Sequence, residues 1–204
     1  MQDLDRALDE ISSIRRQVAR STEFRGYGPA TLALTGLFAL GAAETQALWV
    51  SDAANHISAY LTIWIATAIV SASWIGTQMY ARTKRMHSGM ADEMIRMAVE
   101  QFLPSAAAGA LLTVVLVQCA PGSLWMLPGL WQIIFSLGVF SSCRFLPRMM
   151  VVAGVWYLLS GLVCLSLGDA RALSPWAMGI PYGAGQMLVA AVLLLSREEQ
   201  GHER

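Results

Sequence analysis

Ile57–Tyr80 reads ISAYLTIWIATAIVSASWIGTQMY and is followed at once by Ala81-Arg82-Thr83-Lys84-Arg85. The first stretch has no charged residue. As a helix it extends about 36 Å, enough for a hydrocarbon core of about 30 Å. The second stretch packs Arg82, Lys84 and Arg85 against its end, and positive charge is retained on the cytoplasmic side during insertion. Together they read as a membrane span whose C-terminal end faces the cytoplasm.

Working outward, five more segments approach or meet that length: Ala30–Val50, Leu103–Cys119, Leu124–Cys143, Met149–Leu167 and Trp176–Ser196. Six spans put both termini on one side. Of the 14 Lys and Arg residues, all but Arg171 then fall on the side of Arg82: Arg6, Arg15, Arg16, Arg20 and Arg25 before the first span, Arg96 with the cluster above, Arg144 and Arg148, and Arg197 and Arg204 in the tail. Trp49, Trp125 and Trp176 close the opposite ends of three spans, where an indole favours the headgroup boundary. The predicted class is an all-α polytopic membrane protein with six transmembrane helices. Residues 1–28 form an amphipathic cytoplasmic segment, 29–196 the transmembrane domain and 197–204 a cytoplasmic tail.

Composition agrees with this class. Charged residues are 14% and apolar residues 55%, against about 25% and 45–50% in soluble domains. The formal net charge is zero, which gives no electrostatic reason for a nucleic-acid partner. Thirteen Arg stand against the single Lys84, a bias of GC-rich bacterial genomes, so the expected location is a bacterial inner membrane. Cys119, Cys143 and Cys164 lack metal-ligand spacing and read as packing residues.

The spans repeat in pairs. Phe102-Leu103-Pro104 opens the third and Phe145-Leu146-Pro147 the fifth, while Trp125, Pro128 and Gln132 in the fourth echo Trp176, Pro181 and Gln186 in the sixth. Three helical hairpins around a pseudo-threefold axis is the simplest arrangement. Between spans two and three, Ser88–Phe102 reads as a helix near the inner interface, with Ser88 as N-cap, Arg96 able to pair with Asp92 or Glu100, and a bend at Pro104. The chain resembles a set of bacterial six-helix inner-membrane proteins without an assigned activity. The resemblance lies in Met86-His87-Ser88-Gly89-Met90-Ala91-Asp92, Leu127-Pro128-Gly129-Leu130-Trp131-Gln132 and Ser174-Pro175-Trp176-Ala177-Met178-Gly179. It implies the six-helix fold and carries no substrate or catalytic residue.

Catalytic templates are missing: there is no GxSxG, HExxH, Walker loop or GxGxxG. His56, His87 and His202 sit outside the spans and cannot hold a haem between them, so no cofactor is expected. The polar residues inside apolar runs are Glu44, with Gln46 near it, and Gln132 and Gln186 deeper in the same half. They define a ligand-binding set for a proton, cation or small polar solute, or else serve as interhelical glue. In the N-terminal segment, Leu4, Leu8, Ile11, Ile14 and Val18 fall on one helical face ahead of Arg15, Arg16 and Arg20. That face must rest on the lipid bilayer, a second copy or a protein partner. The leading expectation is a non-enzymatic accessory or regulatory subunit that meets a partner, or forms a homo-oligomer, through its cytoplasmic face. Gly179 and Gly183 form a GxxxG step for close helix approach.

The topology makes a direct prediction. In a chain stripped of its three native cysteines, Ala54→Cys and Ala170→Cys should react with an impermeant thiol reagent in intact cells. His87→Cys and Gln200→Cys should react only once the membrane is opened. Labelling of position 87 from outside would invert the orientation.

Overall fold

The computed structural model describes residues 28–85, 90–143 and 149–202. The expected amphipathic segment with Leu4, Leu8, Ile11, Ile14, Val18, Arg15, Arg16 and Arg20, the N-cap Ser88 and the Phe145-Leu146-Pro147 motif lie outside these residues. All regular structure described is helical: α1 (Pro29–Trp49), α2 (Ile57–Arg85), α3 (Met90–Cys119), α4 (Leu127–Ser142), α5 (Met150–Ser166) and α6 (Pro175–His202), with 3-10 turns at Pro121–Met126 and Ala170–Leu173.

Four stretches are long and apolar enough to cross a membrane: Ile57–Ala81, Val99–Cys119, Pro121–Ser142 and Pro175–Leu195. α5 is equally apolar but has 17 residues, about 25 Å of helix. α1 has the length but is diluted by Thr31, Thr35, Glu44, Thr45 and Gln46. Large apolar side chains are exposed along every helix, including Ile69, Leu111, Leu137, Leu159 and Ile180. Exposed apolar surface of that extent is what a lipid-facing bundle presents.

The expected interfacial helix and third span are one element, because α3 runs continuously through Pro104. Proline deprives the Glu100 carbonyl of its helical donor, but Glu100 is exposed, so its carbonyl does not sit in a packed interior. Of the two partners the spacing allows, Glu100 is engaged: Arg96 Nε pairs with Glu100 Oε1 at 2.6 Å.

Two buried clusters mark the ends of the bundle. One joins Ala42, Ala43, Tyr60, Trp64, Leu173 and Met178, with Ala53 and Trp125 packed on it; the other joins Leu32, Met150, Ala190 and Leu193, with Cys143. The first gathers the loops around residues 53, 125 and 173, and is called the loop end below. Trp49 and Trp176 are exposed there, whereas Trp125 is partly buried on the cluster. Arg171 is not a bare cation: its Nε meets Asp169 Oδ2 at 2.9 Å, and Asp169 also accepts from the Arg171 backbone N–H. Those bonds hold the Asp169 carboxyl below its usual value. The stabilisation is therefore present above the ordinary aspartate range and is lost as acid protonates the group.

The most extensive packing joins α1 to α6 and α4 to α5, while α2 and α3 touch only marginally. Both tight seams use glycine. A side chain at Gly161 would meet the Gly129 carbonyl oxygen at 2.7 Å and Gln132 Cβ at 3.1 Å; one at Gly36 would meet the Gly183 carbonyl oxygen at 3.0 Å and Gln186 Cβ at 3.1 Å. The same Gly-x-x-Gln step thus docks on a glycine of the next helix at each seam. The GxxxG step contributes as expected, since Gly179 lies under Ala43 and Gly183 under Leu40.

Gly161→Ala should therefore lower stability by about 1–3 kcal/mol, because the obstructing atom is backbone. Gly41→Ala, with open space around it, should be neutral or mildly stabilising. Thermal unfolding of both variants in detergent checks the contrast, and equal melting temperatures would contradict the close approach.

Candidate functional site

Part of the buried polar set lies on or beside a core rich in tyrosine and glutamine. Gln46, Gln132 and Ser136 are fully buried, as are Tyr60 and Tyr157. Inside an apolar bundle every such group needs a partner, so the hydrogen bonds show what each is doing.

Gln132 on α4 donates from Nε2 to the Ala177 carbonyl on α6 at 2.8 Å. That carbonyl is open for a specific reason: the residue four further on is Pro181, which has no N–H to give it. Gln46 on α1 acts in the same way at the loop end, donating to the Leu173 carbonyl at 2.7 Å. Leu173 lacks a helical donor because the Ala177 N–H turns to Ser174 instead. The oxygen of Gln46 is used as well, accepting from Trp64 Nε1 at 2.7 Å, so this amide ties α1, α2 and the turn before α6 together. Trp156 Nε1 on α5 adds a bond to the Pro181 carbonyl at 2.9 Å.

A ring cluster fills the space between the two ends. Phe135 packs edge-on against Phe102, Tyr157 and Tyr182, with centroids 5.3, 4.7 and 5.4 Å away. Tyr60 stacks on Trp131 at 6.5 Å with planes 9° apart. Tyr182 packs on the cluster that holds Tyr60, and its ring lies 5.3 Å from that of Tyr157, tilted by 48°. The phenols therefore form a file from Tyr60 near the loop end, through Tyr182, to Tyr157 beside Gln186. Tyr60 Oη and Gln132 Oε1 are buried without a hydrogen-bond partner, and Tyr157 Oη and Gln186 Oε1 face each other without a well-formed bond.

Gln132 and Gln186 thus reach one aromatic core from α4 and α6, and Gln46 lies at its loop-end margin. Glu44 is not brought to it. Its side chain is exposed on the opposite side of α1 from Gln46, in line with Leu37, Gly41 and Leu48. Tyr60, Tyr157 and Tyr182 belong to the core and were not part of the ligand-binding set read from the sequence. Ser136, Ser141 and Ser142 bond to carbonyls of their own helix. Among the described residues, no group of three or more His, Cys, Asp or Glu is placed to hold a metal ion. The three cysteines are free, with Cys164 buried. No known protein family, curated protein or solved structure matches the chain.

If Gln132 closes the carbonyl that Pro181 opens, the two positions are coupled. Gln132→Leu should cost about 1–2 kcal/mol. The cost should shrink by about 0.5 kcal/mol or more in a Pro181→Ala background, where a backbone N–H becomes available to Ala177. A double-mutant cycle read by thermal or denaturant unfolding checks this, and strict additivity would remove the proposed link.

Proposed function

We propose that the chain is a six-span integral membrane protein that works by binding, as a non-enzymatic accessory or regulatory subunit of a protein partner. The observation that carries this reading is the use made of the interior amides. Gln132 and Gln46 donate to backbone carbonyls that irregular helix geometry leaves open, so the polar residues deepest in the bundle serve its architecture. Recognition then falls to the surfaces. α1 and α5 complete the six spans beside the four more apolar stretches, the Gly-x-x-Gln seams join the second of three proposed hairpins to the third and the third to the first, and the basic loops orient the chain with both termini in the cytoplasm of a bacterial cell. The proposed docking face is the cytoplasmic one, made of the first twenty residues and the loops near Ala81–Gln101 and Arg144–Arg148. This is also the architecture implied by the resemblance to bacterial six-helix inner-membrane proteins.

The buried polar atoms of Tyr60 and Gln132, with the loosely matched Tyr157 and Gln186, favour a second reading, in which the Tyr60–Tyr182–Tyr157 file holds a small polar solute. One experiment separates the two. Purification from native membranes in mild detergent should recover a stoichiometric second protein that deletion of residues 1–20 releases. Recovery of the chain alone would contradict the subunit reading. A melting temperature that then rises with a small polar solute, and loses that rise in Gln186→Leu, would support the second.

A further inference from the structure

Glu44 is the only charged residue of α1, and its side chain is exposed on the face opposite the buried Gln46. No hydrogen bond or ion pair engages its carboxylate among the described residues. It lies five residues before Trp49, about 8 Å below the loop end of the helix, on a stripe that runs Leu37, Gly41, Glu44 with Thr45, and Leu48 at helical spacing. The apolar members are bare: Leu37 is 53% exposed and Leu48 78%. Between them Gly41 opens a notch, with nothing within 4 Å of where a Cβ would stand. The Thr45 hydroxyl is taken by the Gly41 carbonyl of its own helix at 2.8 Å and is not offered to the carboxylate. An ionisable group in hydrocarbon is costly unless it is paired.

We propose that this lateral face of α1 docks a transmembrane helix of the partner protein that carries a Lys or Arg at the depth of Glu44, its backbone approaching at Gly41. Charge complementarity selects that occupant. A second copy of this chain would bring another Glu44 carboxylate, and the described cation nearest that level, Arg171, is already held by Asp169 at 2.9 Å. Lipid tails offer the carboxylate no counter-charge. The inference rests on the six-span, partner-binding reading and adds a membrane-embedded contact to the cytoplasmic face proposed above.

The test uses the full-length chain, fluorescently labelled, in phosphatidylcholine vesicles with synthetic transmembrane peptides. These are a Leu/Ala host helix with one Lys about 8 Å inside the boundary, and the same helix with Leu or Glu there. Energy transfer should show the Lys peptide binding about tenfold more tightly than the Leu peptide, the scale of one polar contact between helices. Glu44→Gln should bring the two to equality, and Glu44→Lys should shift the preference to the Glu peptide. Equal binding of the Lys and Leu peptides to the wild-type chain would overturn the proposal. So would Glu44-dependent transfer between copies of the chain that the Lys peptide does not compete away. If the charge preference fails while co-purification still depends on residues 1–20, only the lateral contact is lost. If co-purification fails and the charge preference holds, the cytoplasmic face is the part to discard.

Discussion

The bundle depends on backbones that approach closely at two glycines. Gly161 on α5 lies against the Gly129 carbonyl of α4, and Gly36 on α1 lies against the Gly183 carbonyl of α6. Lipid tails are as apolar as leucine, so burial of apolar surface gives helices in a bilayer little reason to associate, and close packing with interhelical hydrogen bonds must do it. Each seam places a glutamine three residues beyond its carbonyl glycine, pressed over the neighbouring helix. That contact fixes where Gln132 and Gln186 enter the interior, and with them the Phe135, Tyr157 and Tyr182 rings between.

From those seams the polar economy follows. Pro181 opens the Ala177 carbonyl and Gln132 fills it; the Ala177 N–H, bonded to Ser174, leaves the Leu173 carbonyl open and Gln46 fills that. A proline inside a buried helix is tolerated because a side chain from the next element supplies the missing donor. The same bonds explain why the amides sit deep in the bundle while a carboxylate on α1 does not: an amide donates to a carbonyl, whereas a carboxylate only accepts. Chain irregularity, packing and the outward turn of Glu44 are consequences of one set of requirements.

Much of the architecture could be read from residue order. The apolar run lengths place most helix ends within about three residues of those found, although α2 runs on to Arg85 and α6 to His202. Spacing allowed Arg96 either Asp92 or Glu100, and the Glu100 pair is formed. Angular position did not follow. Glu44 and Gln46 are two residues apart, so about 200° separates them on a helix; if one faces inward the other faces out, and α1 lacks a clean apolar stripe to show which. The proposed repeat rests on tryptophan, proline and glutamine with drifting spacing, whereas the step that recurs in the packing is Gly129 with Gln132 and Gly183 with Gln186, spaced identically in both. Tyr60, Tyr157 and Tyr182 escaped notice because a tyrosine in an apolar run looks like any aromatic packing residue until its neighbours are known. The continuity of α3 through Pro104 was hidden because proline signals a break in sequence, and only the exposure of Glu100 shows that the cost is small.

A density map of the protein in a lipid nanodisc, at a resolution that separates side-chain amides from their neighbours, tests the account most directly. The account predicts the Gln132 amide on the Ala177 carbonyl beside Pro181, the Gly129 and Gly161 backbones in contact, and Glu44 on the lateral surface of α1. A Gln132 side chain turned away from Ala177 onto a bound solute, with Glu44 drawn into the same cavity, would contradict it.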